Sequence, residues 1–456
     1  MTEGRRVSVD GVAQRRRNVL GLCTKELCSA MFVSGRAAPD VLDHDLTVLC
    51  TTFAGGVLDP AEISFDVDHR RGAVVGTLPD GSSRRAVASG DKGAALVEGR
   101  RHDLPGRPLW AGDLSPREWP HGDGFRPDPR HAPLHDGVRA HLATTGARGV
   151  AVVHRGILVA QDFAPGFGPD VPTRGWSTAK TLTALIVGWL AGREVLDPRA
   201  ARAPVSAWRG EHDSRADIRL LDLLGLQSGL STGRREDGSD EMLTDADDYF
   251  APYFRPVSVA AMVSGVGSAW PAGKTFSYKS IDHLAVSLAL RETVGADVHA
   301  VLSATVLPAL GLRHSVLETD AEGVPLLCGA WYTTPGDLAR IGALLLGRGE
   351  LGGRRVLPEA WIDTMLTESD ASCAGRTEGP SALRHPYGAS VWLNRDGHVP
   401  AAPREMSYAL GSLGQAVFVL PEHDLVIART GLEPTPDHGS LITAVLTALP
   451  LCEVSR

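Results

Sequence analysis

The sequence predicts a mixed α/β (α+β) fold in which one sheet carries helices on its faces. Two β-type runs, residues 150–153 and 156–160, open the main region, and segments with helical character follow them. β-type runs return at residues 415–420 and 425–429, close to the carboxyl terminus. Strands at both ends of a region, with helices between them, favour a single sheet in which the last strands return beside the first.

The composition is typical of a globular protein and argues against several classes of partner. Hydrophobic residues make up 43% and charged residues 22% of the 456 residues, which is ordinary for a folded chain. The net charge of −8 argues against nucleic acid, because phosphate binding needs a concentrated basic surface. No apolar run is long enough to span a bilayer, so we expect no membrane partner.

The number and spacing of the cysteines predict that the protein resides in a reducing compartment. The chain has 6 Cys, too few and too scattered for a disulfide scaffold, so free thiols are expected. Arg16 and Arg17 precede a short apolar stretch that weakly resembles an export signal, but Lys25 and Glu26 interrupt it. We therefore predict a cytoplasmic location, with export as the weaker alternative.

Three regions follow one another along the chain. Residues 1–103 are predicted to form a small β-rich unit, because short apolar runs alternate there with turn signals. These runs are residues 46–49, 73–76 and 94–97. Residues 104–136 are dense in Pro and Gly and predict a linker. Residues 137–456 are predicted to form the main region.

The main region contains five segments with helical character. They are residues 178–196, 218–224, 335–346 and 358–365, and a helix that begins at Ile281. A further β-type run is predicted at residues 387–393, and residues 421–424 predict the turn between the last two strands.

Ser177 and Lys180 open the long apolar helical segment with the spacing Ser-x-x-Lys. Residues three apart share a helix face, so the lysine amine can reach the serine hydroxyl. A lysine desolvated by apolar neighbours can act as a neutral base that activates such a nucleophile. The alternative is a serine that caps the helix beside a surface lysine. Ser89 and Lys92 have the same spacing but lie in a Gly/Asp turn, and we interpret them as surface residues.

Two further segments carry candidate residues. A Pro/Gly turn at residues 271–273 leads to Tyr278, and a phenol beside a cationic lysine can shuttle a proton. Residues 409–415, Ala-Leu-Gly-Ser-Leu-Gly-Gln, lead into a strand, where glycine lets a substrate approach closely. The Ser177 and Ser412 amides are the predicted oxyanion hole. Taken alone, the first segment is better explained by a half-buried tyrosine bonded to the backbone, and the second by an ordinary glycine-rich strand entry.

The order of these motifs resembles the class C β-lactamases and penicillin-binding-protein-like serine hydrolases. Residues 218–230 and 334–342 resemble further segments of that family. The resemblance implies a β-lactamase/transpeptidase-like fold, an antiparallel sheet flanked by helices plus a helical subdomain. It also implies that Ser177 is the nucleophile, Lys180 its base and Tyr278 a proton relay, with no metal and no organic cofactor.

Two positions depart from the β-lactamases of this family. Ser280 stands where they have Asn, and Ala409 stands where they have a Lys or His that engages the substrate carboxylate. Tyr-x-Ser is similar to the nylon-oligomer hydrolases and some esterases. The resemblance therefore implies a small-molecule amide or ester substrate. The predicted substrate-binding residues are Ser280, Gly411 and Trp331.

The predicted reaction is hydrolysis of an acyl-enzyme on Ser177, and two alternatives remain. An acyltransferase in natural-product biosynthesis would pass the acyl group to an amine or alcohol. A catalytically silent ligand-binding or sensor protein would use the same fold without chemistry, and Ser280 and Ala409 are the reasons to consider it.

Some patterns carry little functional signal. The segment 233–249, which is rich in Asp and Glu, is predicted to be a solvated loop beside the pocket. The histidines at positions 131, 135 and 141 lie among Pro and Gly, and no metal site is predicted there, because zinc ligands usually come in tighter pairs. The sequence leaves the substrate and the oligomeric state open.

Overall fold

The computed structural model describes residues 9–54, 56–99, 106–107, 114–200, 202–231, 251–375, 377–378 and 384–453. The α-helices of these ranges are α1 (Val9–Phe32), α2 (Ala38–Asp40), α3 (Leu46–Leu49), α4 (Ala132–Thr144), α5 (Thr178–Ala191), α6 (Leu220–Leu224), α7 (Ala251–Phe254), α8 (Val259–Gly265), α9 (Ile281–Val294), α10 (Val298–Val301), α11 (Leu307–Ala309), α12 (Pro335–Leu346), α13 (Glu359–Leu366), α14 (Asp370–Cys373) and α15 (His438–Glu453). The strands are β1 (Ser64–Asp68), β2 (Ala73–Thr77), β3 (Ser83–Ala88), β4 (Ala94–Val97), β5 (Ala147–His154), β6 (Ile157–Phe163), β7 (Thr173–Arg174), β8 (Phe276–Ser277), β9 (Val316–Leu317), β10 (Trp331–Thr333), β11 (Glu350–Leu351), β12 (Arg354–Arg355), β13 (Thr377–Glu378), β14 (Trp392–Leu393), β15 (Ser407–Gly411), β16 (Gln415–Leu420) and β17 (Leu425–Gly431).

The largest sheet has the strand order β14-β15-β16-β17-β5-β6, and all its neighbours are antiparallel. β17 lies against β5 with Ile427 opposite Val152. The prediction that the carboxyl-terminal strands return beside the first strands is confirmed.

Helices cover both faces of this sheet. Successive side chains of a strand point to opposite faces. Val152 packs in one apolar cluster with residues of α4 and α15. Its neighbour Val153 packs in another, which includes Leu182 of α5 and Leu338 of α12. Both layers bury apolar surface, which is the main stabilising term of the fold.

A group of helices lies beside the sheet and forms the predicted helical subdomain. α9 is its centre and contacts α5, α6, α8 and α10. Every residue of α9 from Ile281 to Leu290 is buried. The predicted fold, an antiparallel sheet flanked by helices with a helical subdomain, is confirmed.

The amino-terminal part is more helical than the sequence predicted. α1 packs across the antiparallel sheet β1-β2-β3-β4, and residues 38–54 are helical. The apolar run at residues 46–49, predicted as β-type, contributes α3. A four-residue apolar run has the same pattern in a buried strand and in a buried helix, so the sequence could not separate them.

The late strands also differ in part from the prediction. Only Trp392–Leu393 of the run 387–393 is a strand, since Ser390 has a φ of 63° that interrupts extended backbone. Residues 407–411 form β15, which the sequence did not predict as a strand.

The predicted division at residues 103 and 137 remains a prediction. β4 ends at Val97, and α4 begins at Ala132. The acidic segment 233–249 lies outside the described residues. Among the described helices, none combines the length and the apolar character needed to cross a membrane.

Candidate active site

Ser177 stands one residue before α5, at the end of a tightly packed segment. A Cβ at Gly175 would lie 2.0 Å from the Trp331 indole nitrogen, so only glycine fits there. Trp176 has a φ of 48°, a left-handed conformation that costs energy outside glycine. The next three amides, of residues 178–180, donate to the carbonyls of residues 175–177. The Ser177 amide, one residue before them, takes no part in these bonds at the start of the helix.

Lys180 is brought to Ser177 by the helix, as the spacing predicted. Its Nζ lies 3.2 Å from Ser177 Oγ, 3.4 Å from Ser280 Oγ and 2.9 Å from the Cys328 carbonyl oxygen. Lys180 is only 1% exposed, whereas Ser177 is half-buried. The lysine therefore approaches the serine hydroxyl from inside the protein and leaves its outer side open.

Tyr278 also reaches this centre, with its ring toward the lysine. Lys180 Nζ lies 5.0 Å from the ring centroid. The ring stacks on Trp392 at 5.2 Å and meets Tyr387 edge to face at 6.1 Å. Within the described ranges its hydroxyl makes no hydrogen bond. Hydrogen bonds to a reacting group often form only when substrate binds, so the open hydroxyl is compatible with proton transfer.

A buried ionic cluster supports the turn that carries Tyr278 and Ser280. Lys279 Nζ lies 3.5 Å from Asp282 Oδ2, and Ser228 Oγ donates to Asp282 Oδ1 at 2.7 Å. Burial raises the pKa of Asp282 to about 6, although Lys279 and Ser228 favour its charged form. The cluster lies on the buried side of the first turn of α9 and holds that turn in place.

β15 ends beside the segment that leads into Ser177. A Cβ at Gly411 would lie 2.4 Å from the Gly175 carbonyl oxygen, so glycine permits this approach. Ser412 follows and is half-buried, and Leu413, with a φ of 62°, turns the chain into β16. The sequence assigned Gly411 to substrate approach, and the structure gives it a second reason, the contact between two chain segments.

Trp331 does not share the open side of this centre. Its side chain is 0% exposed, and its indole N–H donates to Thr178 Oγ1 at 3.1 Å. It packs behind the first turn of α5, where it has no surface to offer a substrate. The expected substrate contact of Trp331 is corrected to a packing role in this structure.

The second Ser-x-x-Lys segment is far less like a catalytic element. Residues 90–92 form a single 3₁₀ turn that ends at Gly93, and β4 follows instead of a helix. The Ser89 side chain does not cap this turn. Ser89 and Lys92 are both half-buried, where the sequence suggested surface residues, and no α-helix brings them together.

The histidines that the sequence singles out lie on or just before α4, whereas Cys328 borders the centre through its carbonyl. His135 and His141 are buried on α4, and the Arg429 Nε donates to His141 Nε2 at 3.1 Å. No group of three or more metal-binding side chains is found in the part of the chain that the structure describes. Cys23, Cys28, Cys50, Cys328 and Cys373 are unpaired thiols.

Comparison with known proteins assigns the family. The sequence model of the beta-lactamase family matches residues 135–448, which is more than half of the chain. This chain belongs to the beta-lactamase family. The predicted relationship to class C β-lactamases and penicillin-binding-protein-like hydrolases is confirmed, and the protein is a β-lactamase-related serine hydrolase.

Similar proteins extend the comparison. The 6-aminohexanoate-dimer hydrolase of Paenarthrobacter ureafaciens is 23% identical over 293 residues, covering 61% of this chain and 71% of that protein. A structure of a candidate 6-aminohexanoate-dimer hydrolase from Bacillus anthracis matches with a TM-score of 0.54 and 17% identity over 93% of this chain and 96% of that one. A penicillin-binding protein homologue from Caulobacter crescentus has a TM-score of 0.54 at 18% identity over 71% and 99%.

The beta-lactamase-family centre contains groups that sequence motifs did not reveal. The Cys328 carbonyl binds Lys180, and Trp392 stacks on Tyr278. Every residue has a carbonyl, so no residue type could have marked Cys328. A tryptophan in a β-type run is equally common in a core. Glycines near Ser177 and Ser412 in the sequence indicate close packing of the chain, although no role was predicted for Gly175.

Proposed function

We propose that this protein hydrolyses a small-molecule amide or ester through an acyl-enzyme on Ser177. The observation that carries the proposal is the 3.2 Å distance from Lys180 Nζ to Ser177 Oγ in a buried setting. A nucleophile within hydrogen-bond reach of a base, which is itself held by other partners, is the arrangement used in covalent catalysis. Here Ser280 Oγ and the Cys328 carbonyl hold the amine.

In the proposed reaction, one proton leaves the Ser177 hydroxyl and is delivered to the leaving group. Lys180 accepts the Ser177 proton as Oγ attacks the substrate carbonyl. The carbonyl oxygen becomes negative between the Ser177 and Ser412 amides, which favour charge that develops in the transition state. Tyr278 passes the proton to the departing amine or alcohol. Water then attacks the acyl-enzyme by the reverse proton path and releases the acid.

The proposed substrate class follows from the relatives and from one missing cation. The Paenarthrobacter relative is named as a hydrolase of an amide dimer. β15 offers buried Ala409 where the resembling β-lactamases carry a cation. The aromatic pair of Tyr278 and Trp392 gives the site an apolar wall. We therefore favour an amide or ester substrate that carries no charged group next to the scissile bond. Residues 137–456 are the proposed catalytic region.

Covalent labelling tests the proposal. We expect an activated ester or a phosphonate probe to label wild-type protein and Ser89→Ala, but not Ser177→Ala. Ser89 is the matched control because it carries the same spacing in a turn. Mass spectrometry of the labelled peptide locates the adduct, and a label on any other serine would sink the assignment. An acyltransferase would form the same adduct and is identified by acyl products when an amine is added.

A further inference from the structure

α1 places buried Glu26 against Arg174, in the segment that leads into Ser177. It also places buried Lys25 and Ser29 against Glu318, whose Oε2 lies 3.8 Å from Arg174 Nη1. Glu26 Oε2 accepts from Arg174 Nε at 2.7 Å. Lys25 Nζ donates to Glu318 Oε2 at 2.6 Å, and Ser29 Oγ donates to Glu318 Oε1 at 2.6 Å. Glu318 is fully buried in the stretch between β9 and β10. A helix more than a hundred residues upstream thus contributes charge directly behind the nucleophile.

Arg174 is the link between α1 and the nucleophile segment. It belongs to β7 and pairs with Tyr332 of β10, whose hydroxyl accepts from Arg174 Nη2 at 3.2 Å. Its guanidinium carbon lies 5.2 Å from the Trp176 ring centroid and 5.8 Å from that of Tyr253. Trp176 is the residue immediately before Ser177, so Arg174 holds the last side chain before the nucleophile.

The amino-terminal part also contacts Trp176 by an apolar route. Phe53 stacks on the Trp176 ring with centroids 5.5 Å apart and planes at 27°. Glu26, Arg174, Trp176 and Leu413 line one small cavity, and Leu413 follows Ser412. The same contacts therefore border the segments of both predicted oxyanion amides.

Burial of these charges is a costly way to stabilise a fold. Ion pairs removed from water lose hydration that their attraction often fails to restore, and apolar side chains commonly replace them without loss. Such a network can instead favour one defined arrangement of the side chains that it joins. The left-handed Trp176 needs that support, since strained backbone persists only where its surroundings hold it.

We propose that Glu26 is a positioning residue for acylation, acting through Arg174 and Trp176 to place Ser177 against Lys180 and the oxyanion amides. This inference rests on the proposed function. It makes the amino-terminal helix part of the catalytic machinery, although its residues do not touch the substrate. The effect falls on the rate of acylation, because the contacts border the nucleophile and not the outer side of the pocket.

The test compares Glu26→Gln with Asp123→Asn. Glutamine keeps the size and an acceptor oxygen of Glu26 but removes its charge. Asp123 is a matched control, 4% exposed against 7% for Glu26, and pairs with Arg313 and Arg340, away from residues 173–177. Acylation by p-nitrophenyl acetate is followed by stopped flow. The dependence of its rate on substrate concentration gives the acylation rate constant and the substrate dissociation constant, and a melting curve is recorded for each variant.

We expect acylation of Glu26→Gln to slow by about 10–100-fold with the substrate dissociation constant nearly unchanged, the scale of effect of a small misplacement. Asp123→Asn is expected to melt at a lower temperature yet acylate at the wild-type rate. Equal rates for Glu26→Gln and wild type, or losses in both variants that simply follow melting temperature, would overturn the positioning role.

A second variant covers the case in which Glu26→Gln does not fold. Phe53→Leu removes the stacking on Trp176 without touching a charge, and a slower acylation with an unchanged substrate dissociation constant is expected there too. An unchanged rate would contradict the proposal. Labelling of wild-type Ser177 separates the two hypotheses. If Ser177 is labelled and Glu26→Gln acylates normally, only the positioning role fails, whereas absence of label on Ser177 removes the proposed function itself.

Discussion

Lys180 is held by acceptors that carry no charge. Its three nearest partners are two hydroxyl groups and the Cys328 carbonyl, and no carboxylate of the described ranges forms an ion pair with it. A lysine that only held a helix end or a carboxylate would need its charge and not its chemistry. A base needs to release and accept a proton, so the two roles respond differently to arginine.

Lys180→Arg is therefore expected to be nearly as damaging as Lys180→Ala. Arginine keeps a positive charge but does not give up its proton at working pH, so it cannot act as the base. Loss of about 2–4 orders of magnitude in the acylation rate is expected for both variants, as for removal of a general base. Single-turnover kinetics with an activated ester measures the rate.

Melting curves of both lysine variants serve as the control, because the guanidinium is larger than the amine in a tightly buried place. Near-normal acylation by a folded Lys180→Arg protein would remove Lys180 from the proposed mechanism. Tyr278 would then be the group to test as sole base.

Among the strands, β15 carries the residue that bears on the proposed substrate class. Its residue Ala409 is buried, faces Val417 across the strand pair and packs in the apolar cluster that includes α5. A strand position of this kind offers a substrate carboxylate no charge-assisted bond, which is about twice as strong as a neutral one.

Penicillins and cephalosporins are accordingly expected to be poor substrates. Turnover of nitrocefin by purified protein is expected to be weak or absent, while the same sample hydrolyses an activated ester. The ester reaction is the control for active protein. Efficient nitrocefin hydrolysis that disappears in Ser177→Ala would show that another cation replaces the missing one, and Arg404 would be the first residue to substitute.

The elements also show what the sequence could and could not predict. Residues 335–346 and 415–420 were predicted to the residue, because a helical period and an apolar run bounded by turns define them. α1 was missed because its buried side carries Lys25 and Glu26, which a periodicity analysis counts as polar. Their partner Glu318 is 293 residues from Lys25, and no local pattern encodes that distance.

The same limit applies to the centre. Ser177 and Lys180 were found because one helical turn brings them together. Tyr278 was found only through the order of motifs along the chain. Arg174 and Trp176 lie beside Ser177 in the sequence, but the role proposed for them depends on contacts with α1 and Phe53, which only the tertiary structure provides.

For the molecule as a whole, one interface joins the first and last helices of the main region with the sheet. His141 of α4 accepts a hydrogen bond from Arg429 of β17 at 3.1 Å, and His438 of α15 lies close enough to both for their charges to act on it. Burial, and then the charge of Arg429, lowers the pKa of both histidines to about 4. Asp437 acts in the opposite direction on both, and Glu433 pairs with Arg429.

This interface predicts loss of stability in acid. The folded state keeps both histidines neutral, whereas the unfolded chain binds protons as pH falls below about 6.5. Their contribution is therefore complete above pH 6.5 and is lost as pH falls toward about 4. We expect the melting temperature of His141→Gln/His438→Asn to fall less between pH 7.5 and 5.0 than that of wild type, by about 1–3 °C. Exposed His423→Gln is the control and should follow wild type. Equal falls in the double variant and wild type would assign the acid sensitivity to other groups.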